Sequence, residues 1–166
     1  MRIKNWHISG LTFIIVFGVF LHYAYDLSEQ NRIVGYFAPI NESVWEHLKL
    51  IFWPSFFFSV IEYFAYGKKE PDFFSVKMCG IFAALSFVVI VFYTYSGILG
   101  FVLFVIDILI FVLSALICQW ISYRLLIRET YADPSDNLRS FVVLLLFALC
   151  FFVWTENPPM LAIFWG

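Results

Sequence analysis

The chain has 166 residues, of which 63% are hydrophobic, 22% are aromatic and only 13% are charged, and its formal net charge is -2. About a quarter of the residues of a soluble domain are charged, so this composition excludes an ordinary water-soluble domain. The chain also lacks the basic tracts that are typical of nucleic-acid binding, so no nucleic-acid partner is expected.

Five segments are apolar over about 20 residues, the length that a helix needs to cross a bilayer. In chain order they are predicted at roughly 6–26, 42–66, 73–95, 97–123 and 138–156. The sequence therefore predicts an all-α fold, a polytopic transmembrane bundle of about five helices that forms a single domain in the lipid bilayer. The third and fourth segments are separated only at residues 95–97, which predicts a tight antiparallel hairpin.

The basic residues indicate which way the bundle faces. Eight of the ten Lys and Arg residues lie at segment ends that share a side with the N-terminus, and Arg32 and Lys49 are the exceptions. Because cytoplasmic connections carry the excess of Lys and Arg, we expect a cytoplasmic N-terminus and an extracytoplasmic C-terminus. The expected location is the plasma membrane.

Polar residues gather at the predicted extracytoplasmic ends of the first two segments. His22 and Asp26 are four residues apart near the end of the first segment, and hence on one face of a helix. Glu42, Glu46 and His47 open the second segment at the same end of the bundle. Imidazoles and a carboxylate suit a transition metal such as zinc, so His22, His47 and Asp26 are the candidate metal ligands.

Asp107 is predicted to lie deep in the membrane. It is ten residues into the fourth predicted segment, about 15 Å along a helix and so near the bilayer midplane. A charge at that depth costs at least about 2.5 kcal/mol, and such residues face the bundle interior and are functional by default. With Glu46 and Glu42, Asp107 is a candidate catalytic carboxylate. A structural alternative is a buried pair of Lys49 with Asp107 or Glu46, which would fix helix register without chemistry.

These residues lead to three hypotheses about function. The first is a metal-dependent hydrolase that acts on a lipid or lipid-linked substrate in an outward-facing polar pocket, with a carboxylate as general base. The second is a proton- or cation-coupled carrier that uses Asp107, and the third is a non-catalytic subunit of a membrane complex. The expected ligand is lipid-like or a small polar group, and a homo-oligomer is compatible with each hypothesis.

The stretch Asn-Glu-Ser-Val-Trp-Glu-His-Leu-Lys at residues 41–49 resembles a motif of an uncharacterised family of small bacterial multipass membrane proteins. Residues 21–28, 93–97 and 158–159 extend this resemblance over nearly the whole chain. The resemblance implies the membrane class and the topology, and it implies no particular activity.

A second similarity is to hydrolases of the alkaline ceramidase and adiponectin-receptor type, which hold zinc inside a helical bundle. Ser43 and His47 match the Ser-x-x-x-His element of those enzymes, and Asp107 would stand for their intramembrane Asp. Their His-x-x-x-His pair is absent, because His7, His22 and His47 are the only histidines of the chain. In this similarity His22 replaces one of the missing ligands.

Overall fold

The computed structural model describes residues 3–128 and 134–165. Over these ranges the chain contains no strand, and its α-helices are α1 Ile3–Leu27, α2 Arg32–Gly35, α3 Val44–Ala65, α4 Phe73–Leu99, α5 Phe104–Leu126 and α6 Pro134–Glu156. Short 3-10 turns lie at Gly67–Lys69 and Ala162–Phe164. Every α-helix except α2 is long and apolar enough to cross a membrane, which confirms the predicted all-α transmembrane bundle.

The central helix of the bundle is α3. In its most apolar stretch 67% of the residues are buried, compared with 22% to 39% in the other four long helices. Its buried aromatic side chains pack against α6. The ring centroid of Phe52 lies 5.2 Å from that of Phe151 and 5.4 Å from that of Phe147. Because neither water nor lipid reaches most of α3, its polar side chains must find their partners within the protein.

The long helices alternate in direction, so each end of the bundle has its own connections. At one end the Phe74 N–H donates to the Asn137 side-chain carbonyl at 2.5 Å, which joins the beginnings of α4 and α6. At the other end the connection formed by residues 28–43 bonds to the end of α6. We call the end that carries residues 28–43 the loop end, and the end that carries Gly67–Lys69 the turn end.

The turn of the α4–α5 hairpin comes later in the chain than predicted. α4 continues through residues 95–97 and closes at Gly100, which has a φ of 76° and donates its N–H to the Ser96 carbonyl at 2.8 Å. α5 then begins at Phe104. No charged residue marks the turn in this apolar stretch of sequence, so hydropathy does not locate it. The left-handed backbone conformation that glycine adopts readily ends the helix instead.

Candidate functional site

The loop end brings together the two histidines that were predicted as metal ligands. His22 of α1 and His47 of α3 lie with their ring centroids 5.5 Å apart, where the two helices pack against each other. Asp26, the third predicted ligand, is one helical turn beyond His22 and is exposed. The structure therefore places two of the three predicted ligands in contact and the third at the solvent-exposed rim.

The ring of His47 has a fixed orientation. Its Nδ1 lies 2.9 Å from the carbonyl oxygen of Ser43, and because a carbonyl oxygen can only accept, this nitrogen carries a hydrogen. Ser43 also caps α3, since its Oγ accepts the N–H of Glu46 at 3.3 Å. The other ring nitrogen, Nε2, lies 3.5 Å from Oε2 of Glu42. These two atoms attract each other only when a proton or another cation lies between them.

The histidine pair is partly open to solvent. About a third of the His47 side chain (30%) and most of the Glu42 side chain (81%) are exposed. His22 is also half-buried, and its Nδ1 is buried without a hydrogen-bond partner among the described residues. A buried nitrogen without a hydrogen-bond partner lowers the stability of the folded protein. Binding of a polar group that supplies this hydrogen bond is therefore favoured.

The metal-binding roles of His22, His47 and Asp26 remain predictions. Among residues 3–128 and 134–165, no three His, Cys, Asp or Glu side chains lie close enough together to hold a metal ion. Catalytic zinc takes three protein ligands and leaves one position for water or substrate. The contact of His22 with His47 is therefore one ligand short of such a site.

Glu46 and Lys49 form a fully buried ion pair next to the histidines. Lys49 is 0% exposed and Glu46 is 3% exposed, and Nζ lies 2.5 Å from Oε2. The ammonium also donates to the carbonyl oxygens of Gly35 at 2.8 Å and Ala38 at 3.4 Å, so its three hydrogens all have acceptors. Glu46 accepts the N–H of Ile40 at 3.0 Å. The pair therefore ties the loop-end connection to α3.

This arrangement matches the structural alternative for Lys49, with Glu46 rather than Asp107 as its partner. Both carboxylate oxygens of Glu46 are engaged, Oε2 by Lys49 and Oε1 by Thr155 at 3.3 Å. The catalytic role predicted for Glu46 remains a prediction that these bonds do not favour. The catalytic role of Glu42 also remains a prediction, and Glu42 is the carboxylate that lies against His47.

The depth predicted for Asp107 is wrong. Asp107 lies in the first turn of α5, at the loop end, because the hairpin turn precedes Phe104. Its carboxylate accepts a hydrogen bond from the hydroxyl of Tyr95 on α4. The bond joins the two helices beside their turn, so Asp107 has a local partner, and its catalytic role remains a prediction.

A second polar cluster, in the turn-end half of the bundle, was missed by the sequence analysis. Glu62 of α3 and Lys77 of α4 form an ion pair with side-chain exposures of 0% and 2%. The Tyr66 hydroxyl donates to Glu62 at 2.9 Å, and in the same half Nδ1 of His7 lies 2.7 Å from the side-chain oxygen of Gln119. Glu62 is the residue from which the sequence could have predicted this cluster. An acidic side chain within an apolar helix needs a cationic partner, which a neighbouring helix can supply.

The two buried ion pairs do not belong to one pathway. Glu46 and Glu62 are 16 residues apart on α3. At about 100° and 1.5 Å per residue, they are separated by about 160° around the helix and about 24 Å along it. Glu46 faces the loop-end connection and Glu62 faces α4. A proton relay along α3 would therefore have to cross from one face of the helix to the other.

Comparison with known proteins identifies a family and no activity. No curated protein matches the chain, and no solved structure matches it. The predicted resemblance to an uncharacterised family is confirmed, whereas the similarity to zinc hydrolases of the ceramidase type finds no support. One family, described as a family of unknown function (DUF6512), matches residues 1–166. The chain therefore belongs to the DUF6512 family.

Proposed function

We propose that this integral membrane protein binds a small polar group at the loop end through His22, His47 and Glu42, and that His47 exchanges a proton with that group. The fixed ring of His47 carries the proposal. Because Nδ1–H donates to the Ser43 carbonyl, the exchangeable position is Nε2, beside Glu42 at the exposed rim. An imidazole oriented by one hydrogen bond and open on its other nitrogen is suited to act as a general acid or base.

The position of the site favours a substrate at the membrane surface. α1 ends and α3 begins at the loop end, where the spanning helices meet water. In a hydrolase acting on a lipid or lipid-linked ester, His47 would take a proton from the attacking water, and Glu42 would stabilise the imidazolium that forms. His22, next to His47, would contact the polar part of the substrate.

A coupled carrier is the weaker alternative. The sequence argument for it placed Asp107 near the bilayer midplane, and Asp107 lies instead in the first turn of α5. The buried acids Glu46 and Glu62 are on nearly opposite faces of α3, and each is already bonded to a lysine. These positions provide no continuous polar path between the two ends of the bundle.

The hydrolase is tested with purified protein in nanodiscs whose phospholipids carry radiolabelled acyl chains. We expect the wild-type chain to release labelled fatty acid, and His47→Gln to slow the release at least about a hundredfold, the lower range for loss of a general base. Glu42→Gln should slow it less. Glu29→Gln is the matched control, because Glu29 is an exposed acid elsewhere in the same connection.

Two outcomes would contradict this proposal. If the wild-type chain releases no fatty acid from phosphatidylethanolamine, phosphatidylglycerol or phosphatidylcholine, these phospholipids are not its substrates and the lipid hydrolase fails in that form. If release is seen but is unaffected by His47→Gln, the histidine site is not the acid–base centre. A non-catalytic subunit then becomes the best remaining hypothesis.

A further inference from the structure

An apolar groove of about 540 Å³ lies between α3 and α6. Trp53 and Phe56 line its α3 side, and Val, Leu, Ala and Phe side chains line its α6 side. The indole N–H of Trp53 is bonded to a backbone carbonyl at 3.2 Å, so the walls offer a ligand no free polar group. The volume falls in the range of about 300–1,000 Å³ that is typical of small-molecule sites.

The groove opens toward the bilayer. Leu145, Leu146 and Leu149 on its α6 wall are 45%, 57% and 53% exposed, and both walls belong to membrane-spanning helices. Hydrocarbon is the surrounding medium at this depth, and water-soluble ligands do not reach it. A lipid acyl chain therefore matches the groove in its chemistry.

Charged and polar side chains border the groove at the loop end. The Phe152 ring of the groove wall packs edge-on against Tyr36, with ring centroids 5.2 Å apart. The Tyr36 hydroxyl donates to Oε1 of Glu156 at 2.8 Å, and Nε of Arg32 donates to the same oxygen at 2.7 Å. A second cavity of about 200 Å³, lined by Arg32, Glu156 and both polar and apolar neighbours, lies at this border.

The Arg32–Glu156 pair presents one positive and one negative charge to this second cavity. The guanidinium of Arg32 is charged at any physiological pH, and the bond to Glu156 raises its pKa further. The Arg32 side chain is 74% exposed and the Glu156 side chain is 33% exposed. Exposed pairs of this kind stabilise a fold little, so both groups are available to a ligand. A zwitterionic headgroup carries the complementary charges, a phosphate for the guanidinium and an ammonium for the carboxylate.

We propose that the groove and the second cavity form one binding site for a zwitterionic phospholipid. An acyl chain lies between α3 and α6, the phosphate lies at Arg32, and the headgroup ammonium lies at Glu156. An anionic headgroup would match only the guanidinium, and a neutral one would match neither charge. The site is independent of the histidine pair, so this proposal and the proposed function fail or succeed separately.

The headgroup is tested by native mass spectrometry of delipidated protein titrated with dioleoylphosphatidylethanolamine, dioleoylphosphatidylglycerol or dioleoylglycerol. We expect phosphatidylethanolamine to bind most tightly. Arg32→Gln should weaken its binding at least about tenfold, the loss expected when a hydrogen bond to a charged group is removed. Glu156→Gln should remove the preference for phosphatidylethanolamine over phosphatidylglycerol. Equal binding of the three lipids, unchanged by Arg32→Gln, would overturn the headgroup assignment.

The groove is tested with a matched pair of substitutions. Leu146→Trp fills the groove and should lower the binding of all three lipids. Leu113→Trp replaces a leucine on α5 that is 46% exposed and lies outside the groove, and it should leave binding unchanged. Equal effects of the two substitutions would overturn the assignment of the groove. A dimer that Leu146→Trp dissociates would also overturn it, because the groove would then hold a second copy of the chain.

Discussion

Lys49 donates to Glu46 across 2.5 Å and to two carbonyl oxygens of the loop-end connection, all in the buried part of the bundle. The ammonium thus has a full set of acceptors, and its hydrogen bonds attach the loop-end connection to α3. Removing one partner of such a pair leaves an uncompensated buried charge, which costs far more than the pair contributes by itself.

Lys49→Met should therefore be strongly destabilising. It leaves the Glu46 carboxylate without its cation and two backbone carbonyls without their donor, and we expect the free energy of unfolding to fall by roughly 3–5 kcal/mol. The double variant Lys49→Met/Glu46→Gln should recover part of this loss, because no buried charge remains. Reversible unfolding in mixed detergent measures the difference.

The control for this substitution is Lys68→Met. Lys68 is exposed at the turn end, so its loss should change the free energy of unfolding little. Similar effects of Lys49→Met and Lys68→Met would show that the buried pair does not hold the connection.

Two glycines of α4 should respond in opposite ways to substitution by alanine. A Cβ at Gly80 would lie 2.2 Å from the Ser122 Oγ and 2.6 Å from the Cys118 carbonyl oxygen, so α5 would have to move away. Such overpacking typically costs about 1–3 kcal/mol. A Cβ at Gly97 would meet no atom of the described residues within 4 Å, and alanine there should stabilise the helix by up to about 1 kcal/mol. Thermal unfolding of both variants checks the comparison, and a neutral Gly80→Ala would contradict the close packing of α4 on α5.

The bond between Tyr95 and Asp107 should be measurable as a coupling between α4 and α5. In a double-mutant cycle of Tyr95→Phe and Asp107→Asn, we expect a coupling energy of about 1 kcal/mol, because both side chains are partly exposed. The free energies of unfolding of the two single variants and the double variant give this value. Additive effects would show that the two side chains act independently.

Metal removal should not destabilise the protein. The described residues contain no group of three ligands, and the contact of His22 with His47 provides only two. We expect treatment with a chelator to leave the thermal unfolding midpoint unchanged, and elemental analysis of the purified chain to give well under one zinc per molecule. Stoichiometric zinc that is lost in His47→Ala would contradict this and would return the site to a metal-dependent hydrolase.

The sequence by itself determined the class and the number of helices long enough to cross a membrane. In a bilayer the backbone N–H and C=O groups must be hydrogen-bonded within the protein. Five apolar segments of spanning length are therefore expected to form five helices. The same pattern also brought His22 and His47 to one end of the bundle, since consecutive spanning helices must alternate in direction. Both conclusions depend on length and hydropathy, which are properties of single segments.

The tertiary structure alone decided the partners of the charged residues and the depth of Asp107. No charged residue marks the turn of the α4–α5 hairpin, so its position followed from the left-handed conformation of Gly100 and not from hydropathy. Whether Lys49 pairs with Glu46 or Asp107 depends on how helices are rotated and packed, because neutralisation requires contact within a few ångströms. The contact of His22 with His47 and the apolar groove between α3 and α6 arise from the same packing, which brings together side chains that are distant in the sequence.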